Sequence, residues 1–376
     1  MRGDREHDYV EYVQARLPSL RRAAFLVLGD SDRADDAVQD ALAVLYRRWG
    51  QLGAVGTPPI TVAACGPQEL ERPGGVTGAD PGDRYVIGVT GQRDAPRAIL
   101  WRGTTAVLLP DSFVPLAVNV SGLVAGFSGP DRHGQERQQR PIVYDGTRLV
   151  ALPLPQSAAG GVAYAVNGHG EVLGTVTRAD GSWIAVRWRT NGGIAITGTV
   201  DGASGLGLTD DGVAVGFAGG QQPAAQRWDA DGHAVALPLP DGVESATARA
   251  AVGDWATGDA TQPQGDSKGD PLTTAAVRWN LRTGSAELIP GISGARVSAT
   301  GTVAGLTDTG APAVWRDGRI QTLPLPPGGA RASVAGLTDD GHVVVGDVEL
   351  PTGTAAPSGG DPVAADGTVP VLWANC

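Results

Sequence analysis

Cysteine and lysine are nearly missing from this chain. Its 376 residues include two cysteines, Cys65 and Cys376, which are too few for the disulfide framework of a small secreted domain and lack the spacing of a zinc site. Lys268 is the sole lysine, and the formal net charge is −11. Residues 1–50 hold eight Arg and nine acidic residues, which leaves −10 on the remainder and argues against nonspecific nucleic-acid binding by that part.

Long apolar runs are also missing. No stretch of the sequence approaches the ~20 apolar residues that a membrane-spanning helix requires. Residues 1–12 are charged and have no apolar core of the kind that a signal peptide contains. We therefore expect a cytoplasmic protein with no membrane contact.

Signatures of catalysis and of metal binding are sparse. The sequence has no Gly-x-Ser-x-Gly elbow, phosphate-binding loop or dinucleotide fingerprint. Three of its five histidines (His169, His233 and His342) follow Gly at predicted turns, where we expect them to be exposed. Turn geometry also explains the Asp-Asp-Gly sequences without calcium. We predict a protein that is not an enzyme and has no metal or cofactor; a propeller hydrolase or lyase is the weaker alternative.

Glycine and proline are abundant, with 56 and 27 residues, and they belong to a repeat. Each unit reads as an Asp-Gly-type turn, a Val-rich run ending in Gly, an aromatic strand, a polar turn and often Leu-Pro-Leu-Pro. Four short strands a unit, recurring at spacings of 36 to 58 residues, predict a mainly β fold, a seven-bladed β-propeller. The aromatic residues of the predicted third strands are Trp101, Tyr144, Trp188, Trp228, Trp279, Trp315 and Trp373.

The ends of the repeat region predict how the ring closes. The last unit stops just after the strand of Trp373, so its fourth strand is missing. A spare β-like run precedes the first unit, and we predict that residues 59–65 supply the missing strand and remove an exposed edge. In that register Cys65 and Cys376 lie about five residues of strand apart, roughly 17 Å, so we expect no disulfide between them. The alternative is a Cys65–Cys376 staple at this seam, which requires a different register.

The alternating Asp-Gly, Val-Gly and Ala-x-x-Trp pattern of residues 74–376 resembles the HAF repeats of bacterial proteins. That resemblance implies a propeller and does not identify a ligand. Many members of the family look extracellular, which conflicts with the expected cytoplasmic location.

Residues 1–50 differ from the repeats and predict three short helices, over Glu6–Leu17, Ser19–Leu28 and Asp32–Trp49. Acidic residues crowd the start of the third helix and arginines its end, in the order that suits the helix dipole. Its apolar residues, Val38 among them, form one stripe, and polar residues line another face. Residues 51–58 are the predicted linker to the propeller of residues 59–376.

Three segments of this region, Leu20–Asp30, Ala34–Leu42 and Tyr46–Trp49, resemble the start of region 2 in RNA polymerase sigma factors of the extracytoplasmic-function group. The resemblance implies that Asp36, Gln39 and Asp40 dock on the β′ clamp of RNA polymerase. Carboxylates and an amide can pair with arginines on a partner helix. The alternative is a solvated helix face with no partner.

The rest of the sigma pattern is missing. After Trp49 the chain lacks the helix that reads the −10 promoter element, and it lacks the helix-turn-helix that reads the −35 element. Direct DNA binding is therefore not expected. The segment is interpreted as a polymerase-docking tether, a competitor of sigma factors or an inactive remnant ahead of a propeller that binds an unknown protein or small ligand.

Two sets of residues are candidates for the propeller's binding surface. Trp183 and Trp255 stand outside the repeated aromatic position and are candidate partner anchors, with packing as the alternative. Arg132, His133 and Arg137 lie in one of three long predicted loops between second and third strands, where variable loops on a rigid scaffold usually bind.

Overall fold

The computed structural model divides the chain into two compact units, Met1–Ala63 and Ala64–Cys376. It describes residues 38–39 and 65–374, except 83, 93–94, 104, 111–112, 130–138, 197–201, 220–222, 264–271 and 351–366. The three predicted helices lie outside the described residues, apart from Val38 and Gln39, which are helical. Within the described part, no helix has the length and apolar character needed to cross a membrane.

The second unit consists of seven four-stranded antiparallel sheets, which confirms the predicted seven-bladed propeller. Blade one has β2 (Gly75–Ala79), β3 (Tyr85–Gln92), β4 (Ala95–Arg102) and β5 (Thr105–Leu108). Blade two has β6 (Phe113–Val118), β7 (Val124–Ser128), β8 (Arg140–Tyr144) and β9 (Leu149–Ala151). Blade three has β10 (Ala158–Val166), β11 (Val172–Arg178), β12 (Trp183–Trp188) and β13 (Ile194–Ile196).

The remaining blades continue in the same order. Blade four has β14 (Ser204–Leu208), β15 (Ala214–Ala218), β16 (Ala224–Trp228) and β17 (Ala234–Ala236). Blade five has β18 (Ser245–Val252), β19 (Trp255–Pro263), β20 (Leu272–Asn280) and β21 (Ser285–Ile289). Blade six has β22 (Ser293–Val297), β23 (Val303–Leu306), β24 (Pro312–Arg316) and β25 (Arg319–Thr322). Blade seven has β26 (Arg331–Leu337), β27 (Val343–Glu349), β28 (Thr368–Ala374) and β1 (Gly66–Glu69).

The first strands of the blades form an inner ring. Each first strand contacts the first strand of the next blade, and β26 contacts β2, so the circle is complete. The inner ring therefore forms the wall of the channel that runs through a propeller. Connections between first and second strands lie at one end of this channel, which we call the turn end; connections between second and third strands lie at the other, the loop end.

The repeated aromatic residues all stand in third strands, as the sequence predicts, and the tryptophans among them are buried. Their indole N–H groups explain the Leu-Pro-Leu-Pro signature. Trp188 Nε1 donates to the carbonyl of Pro153, Trp279 Nε1 to Pro238 and Trp373 Nε1 to Pro324, each at 2.7 Å. Because each proline belongs to the preceding blade, one indole both fills a core and joins two blades.

The Val-Gly element of the repeat has a steric cause. The pairing of first and second strands shifts register in every blade, leaving extra residues on the first strand. At this bulge the second strand always carries Gly, and a Cβ there would lie 1.8–2.5 Å from a carbonyl oxygen of the first strand. The glycines are Gly88, Gly126, Gly174, Gly216, Gly258, Gly305 and Gly346.

The strand that closes the ring is β1, which pairs with β28 from Gly66 opposite Ala374 to Glu69 opposite Val371. The prediction placed this strand at residues 59–65, which except for Cys65 lie outside the described residues. The prediction is wrong because residues 59–65 have the higher β propensity, whereas β1 is Gly-Pro-Gln-Glu and is a strand because of its partner. As an outer edge strand it tolerates Pro67.

The changed register also corrects the expectation for the cysteines. Gly66 pairs with Ala374, so Cys65 stands at the end of the ladder nearest the C-terminus. Cys65 is disulfide-bonded, and Cys376 is the only other cysteine of the sequence. The expectation of no disulfide at Cys65 was wrong because it assumed that Cys65 lay at the far end of the closing strand.

Candidate functional site

Charge on the inner ring is confined to three consecutive blades. The seven first strands together carry three charged residues, and all three are arginines: Arg249 in β18, Arg296 in β22 and Arg331 in β26. We call them the inner-ring arginines. The sequence outside residues 1–50 has a formal charge of −10, so the sign of this group is opposite to that of the domain around it.

Arg249 is the residue that the β18–β19 bulge leaves unpaired, between the paired residues Ala248 and Ala250. Bulges redirect side chains in this way. The Nε of Arg249 donates to Oδ2 of Asp259 in the neighbouring strand β19, while the arginine side chain remains 49% exposed. Asp259 also accepts a hydrogen bond from the backbone N–H of Gly294 in blade six, at 2.9 Å.

Arg296 lies across the interface from this pair and is partly buried. Its Nε donates to the carbonyl of Ala335 in blade seven at 3.1 Å, and its Nη1 donates to the carbonyl of Ala295 at 3.3 Å. Burial lowers the pKa of the Arg296 guanidinium below its usual value, and the positive charge of Arg249 lowers it further, while Asp259 opposes the shift. The two guanidiniums are therefore close enough to repel each other.

Arg331 is the first residue of β26 and so stands at the loop end of the channel wall. It is exposed, and Glu349 is opposite it in the β26–β27 ladder. Within the described part of the chain, the structure gives the side chain of Arg331 no hydrogen bond or ion pair. The three inner-ring arginines therefore stand on the consecutive first strands of blades five, six and seven, with Arg331 at the loop end.

A second group of buried charge lies at the seam between blades seven and one. Oδ2 of Asp347 in β27 accepts the backbone N–H of Val76 in β2 at 3.0 Å. Burial raises the pKa of Asp347 above its usual value, and the Val76 hydrogen bond offsets only part of the shift. Asp80, in the turn after β2, is fully buried and its pKa is likewise raised by burial.

We expect Asp347→Asn to raise the thermal unfolding midpoint at pH 7. The folded-state pKa of Asp347 lies above the unfolded value, so stability falls as pH rises from that value through the folded pKa, and neutral pH carries the cost of a buried charge. The gain should shrink as pH falls toward 4. Asp145→Asn is the control: hydrogen bonds led by Thr147 lower the Asp145 pKa to about 2, so this change should lower the midpoint at pH 7. Equal shifts for both variants would contradict the assignment.

A shallow pocket of about 280 Å³ lies at the turn end between blades three and four. Charged side chains of this pocket form hydrogen bonds that join blade three to blade four. Arg187 donates to the carbonyls of Gly212 and Ala230, and Asp210 accepts the N–H of Gly168 at 2.6 Å. Equivalent arginines join later blades, since Arg278 donates to Gly301 and Arg316 to Gly341. These bonds identify the pocket as part of the cross-blade packing. The charged residues that line it are Glu171, Arg187, Arg189, Asp210, Asp211 and Asp231.

Asp229, Asp231 and His233 bring three possible metal ligands within 4.8 Å of one another on an exposed turn. Local hydrogen bonds account for the arrangement, because Asp229 accepts the backbone N–H groups of Asp231 and His233 and lies 2.9 Å from Nδ1 of His233. Hydrogen bonding to Asp229 raises the pKa of His233. The three turn histidines predicted to be exposed, His169, His233 and His342, are exposed.

The structure separates the two predicted tryptophan anchors. Trp183 begins β12 at the loop end and is 38% exposed. Trp255 begins β19 at the turn end, where the Arg278 guanidinium carbon lies 4.3 Å from the centre of its ring and 4.4 Å from that of Trp315. Trp255 is thereby occupied by packing between blades five and six.

The other predicted site residues are mostly outside the described range. Arg132, His133 and Arg137 lie within 130–138, and Asp36 and Asp40 lie within the first unit; none of the five is described. Gln39 is described as helical and exposed, next to the buried Val38. The inner-ring arginines were not among the predicted site residues. The sequence contains a signal for these arginines, because every charged residue on a first strand is an arginine.

No protein-family model and no curated protein matches this chain. Solved structures match it as propellers. The β-propeller domain of the Trilobed protease from Pyrococcus furiosus superposes with a TM-score of 0.53 at 11% identity, over 80% of this chain and 93% of that one. That propeller has an open velcro topology, whereas here β1 pairs with β28.

Two enzymes show the same likeness. An oligogalacturonate lyase from Vibrio parahaemolyticus has a TM-score of 0.52 at 9% identity, over 81% of this chain and 90% of that one. A puromycin-hydrolyzing peptidase of Mycobacterium tuberculosis has a TM-score of 0.50 at 16% identity, over 74% of this chain and 49% of that one. At such identities the similarity shows the propeller fold alone, and function has to be argued from the site.

Proposed function

We propose that this chain is a non-catalytic recognition protein whose propeller binds a ligand at the inner ring. The observation that carries the proposal is the group of inner-ring arginines on blades five, six and seven. Arg249 and Arg296 place two positive charges near one blade interface, with Asp259 bonded to Arg249 and to the Gly294 N–H of blade six, where small apolar side chains would avoid the desolvation of charge. A bound ligand that neutralises this positive charge would offset the cost and account for the two arginines.

The scaffold suits a binding role. Indole-to-proline and arginine-to-turn hydrogen bonds join each blade to the next from blade two to blade seven, which restrains the inner strands that carry the arginines. Sites supported by rigid elements lose less entropy on binding than sites on free loops. The sequence is longest between the second and third strands of blades two, five and seven, and variable connections on a rigid scaffold are where additional binding contacts usually arise.

A thermal-shift panel tests this function. Wild type and Arg249→Gln would be heated with inorganic phosphate, succinate, putrescine or glucose, because a ligand of the folded state raises the unfolding midpoint by mass action. Recognition at the inner ring predicts that one of these probes stabilises wild type and that the substitution reduces the shift. A panel without any shift that responds to Arg249→Gln would overturn the proposal.

A second function is proposed for the first unit: docking on the β′ clamp of RNA polymerase through Asp36, Gln39 and Asp40. The supporting observation is the pair of described helical residues. Val38 is 5% exposed and Gln39 is exposed, which agrees with an apolar stripe through Val38 and a polar face through Gln39. A cytoplasmic location belongs to this proposal, since the polymerase is there.

We expect core RNA polymerase to be retained by the immobilised wild-type chain and lost from the Asp36→Arg/Asp40→Arg variant, because charge reversal places like charges against arginines of the clamp. Asp4→Arg/Asp8→Arg is the matched control, with the same change of charge outside the predicted face. Equal retention by both variants, or no retention even by wild type, would instead favour an inactive sigma-like remnant ahead of a binding propeller.

A further inference from the structure

We infer that Arg249 and Arg296 form a binding site for a small dianion, a phosphate or a dicarboxylate, inside the propeller channel. This inference rests on the proposed recognition function and specifies its ligand class. It is carried by the bulge that frees Arg249, the cross-blade position of Arg296, and the absence of acidic residues from the seven inner strands.

Three terminal nitrogens of Arg249 and Arg296 are hydrogen-bond donors without an acceptor among the described residues. Arg296 commits Nε to Ala335 and Nη1 to Ala295, and Arg249 commits Nε to Asp259. Among the described residues, Nη2 of Arg296 and both terminal nitrogens of Arg249 make no hydrogen bond. A guanidinium held in place by two carbonyls and one held by a carboxylate are oriented in advance for a planar or tetrahedral oxyanion.

Arg249 and Arg296 outnumber the carboxylates around them. Asp259 is the one carboxylate in contact with the pair among the described residues, and it already accepts from Arg249 and from the Gly294 N–H. Two guanidiniums and one carboxylate leave a positive charge at the site, inside a domain whose formal charge is −10. Because the Asp259 carboxylate already accepts two hydrogen bonds, it has little capacity left to bind a cation, and the site suits an anion.

Access to the two arginines is set by the inner ring. The first strands of neighbouring blades contact one another directly, so the ring is closed along its sides and a ligand reaches the inner strands from an end of the channel. Arg331, at the loop end of β26, lies on the route inward and is exposed. A positive residue at the rim raises the local concentration of anions at the channel mouth. The opposite residue, Glu349, limits this contribution, so Arg331 is assigned to attraction and not to the site itself.

The test is calorimetric titration of the full chain with inorganic phosphate and, separately, with succinate. We expect at least one to bind wild type and Arg249→Gln to weaken it by about tenfold or more, as the loss of a charged hydrogen bond implies. Arg249→Lys should recover part of the affinity, because it restores the charge without the fork of donors. Arg148→Gln, which removes an exposed arginine paired with Asp145 in blade two, is the control and should change nothing.

Arg296→Gln does not report on binding alone, because Arg296 also joins blade six to Ala335 of blade seven. Arg249→Gln/Arg331→Gln avoids this problem: neither side chain makes a cross-blade hydrogen bond among the described residues. Circular dichroism melts would verify that each variant folds. Phosphate or succinate binding that is equal in wild type and Arg249→Gln would overturn the inference, as would binding of neither anion.

These outcomes also separate the inference from the function on which it rests. Stabilisation by putrescine or glucose that depends on Arg249, with none by the two anions, would retain a recognition module and reject the dianion site. Phosphate binding without succinate binding would identify a tetrahedral oxyanion as the ligand group, and the reverse would identify a dicarboxylate. A shift from neither class would remove both proposals.

Discussion

Reduction of the disulfide at Cys65 is expected to lower the free energy of unfolding of the propeller by about 3–5 kcal/mol. The closing strand β1 is four residues long and its last two residues are exposed. In a chain with two cysteines the bond joins the beginning of the propeller to its end, and a cross-link across so long a segment restricts the unfolded chain strongly. Urea denaturation of oxidised and reduced protein measures the difference.

The control for this experiment is Cys65→Ser/Cys376→Ser. It should unfold at the urea concentration of the reduced wild type, and reductant should not move its midpoint. The slope of the transition must also be compared, because a disulfide changes the surface exposed by the unfolded state. Coincident midpoints for oxidised and reduced wild type would show that strand pairing alone closes the ring.

The same bond bears on where the propeller resides. Cytoplasmic thiols are kept reduced, and stable disulfides belong to oxidising compartments. The sequence predicts a cytoplasmic protein. A disulfide at Cys65 is instead typical of an oxidising compartment. Alkylation of free thiols in intact cells before lysis distinguishes them: cysteines that resist labelling would favour an oxidising compartment, and labelled cysteines would favour the polymerase-docking proposal.

The blades were predictable because their determinants are local and repeated. Asp317 and Gly318 both adopt positive φ between β24 and β25, at 51° and 79°, and Asp-Gly is the pair that such a two-residue turn favours. The closing strand was mislocated because Gly-Pro-Gln-Glu has no strand signal of its own. Its conformation depends on β28, which lies at the opposite end of the propeller sequence.

The candidate site was missed for a related reason. Arg249 and Asp259 lie on adjacent strands of one blade, but Arg296 reaches them only because blade six packs against blade five. No motif of fixed spacing connects these residues. The signal appears only when the first strands of the seven blades are aligned with one another, because all their charged residues are then arginines. In the linear sequence these arginines are separated by 35 residues or more and form no pattern.

The second large effect is expected at the bulge glycines. Gly216→Ala should destabilise the propeller by about 3 kcal/mol or more, because the new Cβ would lie 1.8 Å from the carbonyl oxygen of Ser204 and 2.9 Å from its carbon. Backbone cannot rotate away as a side chain can, so β14 and β15 must separate. Their separation would also disturb the pairing of Ser204 with Thr175 of blade three, whose hydroxyls lie 2.7 Å apart.

Gly75→Ala is the matched control for this substitution. Gly75 is also in a strand and has no positive φ, but the atom nearest to its added methyl group would be Oδ2 of Asp347 at an ordinary 3.9 Å. Its effect should stay within about 1 kcal/mol, the scale of the glycine-to-alanine difference in unfolded-chain entropy. Chemical denaturation of both variants compares them directly. Similar small losses would mean that the bulge relaxes, and the Val-Gly element of the repeat would then need another cause than steric exclusion.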